Sequence, residues 1–180
     1  MSENKVVTCY KNDIEYIEDY FTLLDILSEK KELKEEGDED SLEKIKSLEE
    51  KISQKKKIID EKKAITDKSK KRFAIDKMAF RYHLNDIEKK IIIFLLYQYF
   101  SCETPGTSGR AILENVTDNR MEMMNSRHYL MENSKLVFNK LIYSHELGID
   151  STILDADFFL SEDVICFRQE IIQRFLFASV

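Results

Sequence analysis

Leu84-Asn-Asp-Ile-Glu-Lys-Lys-Ile-Ile-Ile-Phe-Leu-Leu-Tyr-Gln-Tyr-Phe100 is the stretch that decides the fold. Asn85 followed three residues later by Glu88 is a helix start signal, a side-chain cap answered by a carboxylate. The apolar residues that follow occupy nearly every face, whereas a surface helix keeps one polar side. The spacing therefore predicts a central helix buried on several sides. Its longest unbroken apolar run, Ile91 to Tyr97, has seven residues, well short of the roughly 18–20 that a membrane span needs.

Toward the amino terminus, Phe73, Ile75, Met78, Phe80 and Tyr82 mark where core composition begins, which predicts a domain boundary near residue 72. The segment before it, 1–72, is charged and helical. Asn12 with Glu15 repeats the cap signal, and Ile14, Ile17, Phe21, Leu24 and Leu27 recur at three- and four-residue steps, so an acidic helix is expected over 12–36. Gly37 among like charges makes a corner, and Ser41 is read as the cap of a basic helix over 41–71. That helix has a seam of Ile45, Leu48, Ile52 and Ile59, with Lys55 and Lys62 where a strong coiled coil is apolar. Residues 1–43 carry a net charge of −9, residues 44–72 carry +7 and the remaining 108 carry −4. An antiparallel hairpin of the acidic helix on the basic one uses both the seam and the charge split.

Toward the carboxyl terminus, Ser101 to Gly109 holds the single Pro and two of the four Gly and reads as a loop. A short helical segment follows from Gly109 to Val116, and a third helix is expected from Arg120 to Val137. After Leu141-Ile142-Tyr143 the pattern turns to β-formers around Gly148, with Ile149, Ile153, Leu154, Phe158, Phe159 and Leu160. Ser161 with Glu162 and Asp163 then caps a last helix over 161–177. The expected fold is mainly α: a helical hairpin or coiled-coil segment, then a domain over 73–180. Three helices, a small β-hairpin and a C-terminal helix give that domain the order of a winged helix.

Residues 84–165 resemble the winged-helix region that lies ahead of the ATPase module in some AAA-family ATPases. The resemblance is carried by the buried helix from Leu84, by Arg127-His-Tyr-Leu-Met-Glu-Asn-Ser-Lys-Leu-Val-Phe-Asn-Lys-Leu-Ile142, and by the hairpin ending Phe158-Phe-Leu-Ser-Glu-Asp-Val164. Asn139-Lys140-Leu141-Ile142 stands where that family leads into the wing. The resemblance implies a region that recruits or assembles for a motor, not the motor itself. No Gly-x-x-x-x-Gly-Lys-Ser/Thr phosphate loop occurs in the sequence.

Composition narrows the function classes. Four Gly and one Pro in 180 residues argue against a sandwich, a barrel or a low-complexity chain. Met1-Ser-Glu-Asn-Lys5 lacks a signal segment, and Cys9, Cys102 and Cys166 are odd in number and far apart, so a cytoplasmic protein with reduced thiols is expected. His83, His128 and His145 show no metal-ligand spacing, and Cys102 beside Glu103 has no cationic neighbour to activate it. No catalytic, metal or cofactor site is expected, nor a membrane partner.

Affinity for a polyanion comes mostly from Lys and Arg, yet residues 141–163 hold neither and carry six acids. A protein partner or self-association is therefore expected in place of nucleic acid. Candidate partner-binding residues are Lys55, Lys56, Lys57, Lys62 and Lys63 of the basic tract, with Asp155 and Asp157 at a strand edge. The alternative is a winged-helix DNA-binding transcriptional regulator, contacting a groove through Arg120, Asn125, Arg127 and His128. Met121, Met123, Met124 and Met131 cluster on the third helix, where filling an irregular core is the commoner use of flexible thioethers.

Overall fold

A computed structural model describes residues 8–36, 39–69, 72–101, 106–145, 152–162 and 164–165. The chain divides into two compact units, Met1–Phe73 and Ala74–Val180.

The first unit is a hairpin of α1 (Asp13–Glu36) and α2 (Glu39–Lys68). Asn12 caps α1 by accepting from the Glu15 amide at 2.9 Å, while the Glu15 carboxylate turns back to the Lys11 amide at 2.9 Å. The pairs Lys30–Glu49, Asp19–Lys55 and Glu15–Lys62 climb one helix as they descend the other, so the two run antiparallel. Leu23, Ile52 and Ile59 are buried between them. Helix α2 starts two residues earlier than the sequence suggests: Ser41 shares the buried stripe of Leu48 and Ile52 and lies inside the first turn instead of capping it. Phe73, expected to open the second domain, belongs here. Its ring stacks on Tyr16 with centroids 5.5 Å apart and meets the edge of Tyr10 at 6.3 Å.

The second unit is built on α4 (Asp86–Ser101), preceded by α3 (Ala74–Tyr82). Helix α4 buries every residue from Ile91 to Tyr97 and packs against α5 (Gly109–Val116) and β3 (Asp157–Leu160). Its capping box is complete: the Glu88 amide donates to Asn85 Oδ1 at 2.9 Å and the Asn85 amide to Glu88 Oε2 at 2.8 Å. That answers how a carboxylate tolerates burial in this apolar setting.

Two expectations for this unit are corrected. The Ser101–Gly109 loop contains a strand, β1 (Thr107–Ser108), so the expected β-hairpin is a three-stranded antiparallel sheet in the order β1-β3-β2, with β2 at Ile142–Tyr143. The continuous third helix is in fact three pieces: α6 (Arg120–Ser126), a 3₁₀ turn (Arg127–Leu130) and α7 (Lys135–Phe138). Ser134 accounts for the last break. Its hydroxyl accepts from the Val137 amide at 3.2 Å, starting a new helix instead of continuing the old one. Lys140, at φ 55°, then ends α7 in the left-handed conformation, with the Leu141 amide bonded to Leu136 O at 2.9 Å, and turns the chain into β2. Amides of Val164 and Ile165 donate to Ser161 O at 3.1 Å. The rest of the expected 161–177 helix lies outside the described residues.

Candidate functional site

Helix α7 and the wing enclose a groove of about 620 Å³. Its apolar lining is Val137, Ile142 and Tyr143; Ser144, Ser161, Lys140 and the carboxylates of Glu132 and Glu162 supply the polar atoms. Helix α7 is placed by Lys135, whose Nζ donates to the His83 carbonyl at 2.6 Å and lies 3.5 Å from buried Glu88. The helix has a single turn, so its three consecutive apolar residues cannot all turn inward. Leu136 is buried, Val137 is partly covered, and Phe138 is 77% exposed, the most exposed large apolar side chain among the described residues.

The wing adds an aromatic surface. Tyr143 pairs with Phe159 across β2 and β3, and the rings stack with centroids 5.4 Å apart. His145 stands edge-on to Tyr143 at 5.3 Å and tilts toward Phe159 at 5.6 Å. Alternation along β3 buries Phe158 and Leu160 and turns Asp157 and Phe159 outward.

The candidate residues fall in separate places. In the hairpin, Asp19 meets Lys55 at 2.7 Å and Lys62 at 2.9 Å, and Lys62 also reaches Glu15 at 3.3 Å and the ring of Tyr10 at 5.0 Å. Burial acts to raise the Asp19 pKa, but the two lysine hydrogen bonds outweigh it and hold the carboxyl below its ordinary value. The same pairing overcomes burial at Lys62 and holds that ammonium above the usual lysine value. Burial first, then the Asp19 charge, pushes the Tyr10 phenol far upward. Lys56 and Lys57 are exposed and Lys63 is half-buried.

Asp155 is bonded by the Thr152 hydroxyl and lies 3.8 Å from Arg110. Asp157, read from the sequence as guarding a strand edge, lies in the central strand of the sheet, opposite Ser108. Arg120 and Asn125 are exposed on α6; Arg127 is half-buried in the 3₁₀ turn, its Nε buried without a hydrogen bond. His128 places Nδ1 2.6 Å from the Asn125 carbonyl and its ring 3.9 Å from that of Tyr129. Arg120 and Asn125 lie on α6, and Arg127 and His128 on the 3₁₀ turn that follows it directly. Sequence reasoning missed the groove residues. Only Val137 among them had a local signal, the apolar run Leu136-Val137-Phe138 directly after a cap, on a turn too short to bury all three.

Among the described residues, no group of three or more His, Cys, Asp or Glu is arranged to hold a metal ion, and no helix is long and apolar enough to cross a membrane.

Helices, strand order β1-β3-β2 and wing together define a winged helix, and the family comparison agrees. The chain belongs to the family described as winged helix domain, variant, whose model matches residues 1–167 and so takes in the helical hairpin as well as the wing. No curated protein and no solved structure matches the chain.

Proposed function

We propose that this chain is a non-catalytic docking module that binds another polypeptide through the groove between α7 and the wing. The observation that carries the reading is the chemistry of that face. Tyr143 is exposed and lines the groove with Glu132 and Glu162, Phe138 is exposed on α7, and residues 141–163 contain no Lys or Arg. Phosphates need cations, and each carboxylate near a phosphate opposes binding. Exposed apolar side chains rimmed by polar ones suit a protein partner.

The narrower reading places the chain amino-terminal to a AAA-type ATPase as its recruitment or assembly region. It rests on the resemblance of residues 84–165 alone, and a glycine-rich phosphate loop following in the parent reading frame would support it. A cytoplasmic location is proposed on the odd number and wide spacing of Cys9, Cys102 and Cys166, which suit reduced thiols.

The alternative, a DNA-binding regulator, draws on Arg120 and Asn125, both exposed on α6. An electrophoretic shift with mixed-sequence duplex at low salt separates the two. The docking reading predicts no retarded band at micromolar protein. Tight retardation that fades steeply with added salt overturns it.

A further inference from the structure

We infer that the groove takes a basic polypeptide segment, one that presents Arg or Lys side chains from another protein. This rests on the docking reading above and adds the chemistry of the partner. The two carboxylates at the groove, Glu132 and Glu162, are both exposed, and neither makes a hydrogen bond or ion pair among the described residues. Lys140 is the one cation in the lining. Tyr143, 40% exposed, offers a ring already held by stacking on Phe159, with Asp157 on the same outward face of the sheet.

Charge complementarity selects among occupants. A neutral apolar peptide would strip water from two carboxylates and return nothing to them. An acidic peptide, or a phosphate chain, meets like charge. A guanidinium or ammonium gains the face of Tyr143, an interaction of about 0.5–2 kcal/mol, and carboxylates that await a donor. The aliphatic stem of Arg or Lys meanwhile covers apolar surface such as that of Val137, which is partly exposed.

The test uses the full chain and three fluorescein-labelled peptides in an anisotropy titration: alternating Arg and Leu, alternating Glu and Leu, and alternating Ser and Leu. The Arg–Leu peptide is expected to bind and to weaken about tenfold as salt rises from about 0.05 to about 0.5 M, since screening shortens from roughly 13 Å to roughly 4 Å. The other two are expected to bind at least about tenfold more weakly. The double variant Glu132→Gln, Glu162→Gln is expected to lose about fivefold or more of the affinity with an unchanged melting temperature, because both side chains are exposed and unpaired. Equal binding of all three peptides, or undiminished binding by the double variant, overturns the inference.

The duplex shift distinguishes the two levels. If no peptide binds and duplex is not retarded, the basic-partner inference falls while the docking reading stands. If duplex is retarded in a salt-sensitive way, both fall. A sedimentation mass that rises with concentration and reverts in the double variant places a second copy in the groove and overturns the separate partner.

Discussion

At Gly109 the backbone leaves β1 and enters α5, and a Cβ there would stand 2.2 Å from the Ile153 carbonyl oxygen and 3.1 Å from the Phe158 ring. The Gly109 amide also donates to Ala156 O at 3.0 Å, so the chain is held against this neighbour and cannot easily retreat. Gly109→Ala is therefore expected to destabilise the second unit by about 1–3 kcal/mol, read as a lower urea midpoint by circular dichroism. An unchanged midpoint would mean the contact yields without cost. The sequence marks Gly109 as part of a loop but cannot show the carbonyl facing it, because Ile153 is far along the chain. Asn85 and Glu88 are the opposite case. Their box closes within three residues, so sequence spacing alone predicts the bonds found at 2.8 and 2.9 Å.

At the scale of elements, the hairpin is keyed by its ion cluster. Lys55 and Lys62 weaken the seam when read as hydrophobic positions, yet each meets Asp19 from α1, fixing register as a polar residue in a seam can. Apolar periodicity does not report where acids lie, so the key was not legible although the hairpin was. The pH dependence follows from the directions of shift. Asp19 sits below its ordinary value of 3.8, so its contribution is complete above that pH and is lost as pH falls through the lower folded value. Lys62 sits above 10.5, so its contribution is complete below that pH and is lost as pH rises through the higher folded value. Asp19→Asn is expected to cost about 1–3 kcal/mol at neutral pH and to flatten the acid limb of a helicity titration. An acid limb identical to that of the parent would contradict the keying. The broken third helix was also partly legible. Ser134 is a residue type that caps helices, but the sequence reads as one helix through it from Arg120 to Val137. Strand β1, two residues long, has no periodicity to read.

For the whole molecule, the fold class, the hairpin and buried α4 could be read from the sequence because burial leaves its trace in the spacing or continuity of apolar residues. The proposed docking face leaves none. Phe138 looks like core until α7 proves to be a single turn, and Glu132 and Glu162, thirty residues apart, meet only in the fold. What the sequence did carry was charge: a wing without cations excludes the usual means of gripping phosphate. The central claim is that the groove beside this wing receives protein, and hydrogen–deuterium exchange of the full chain tests it most directly. With the Arg–Leu peptide added, amides of 137–143 and 159–162 are predicted to slow, and with mixed-sequence duplex at low salt none is predicted to change. Slowed exchange across 120–130 on adding duplex, with no protection of the groove by the peptide, would contradict the claim.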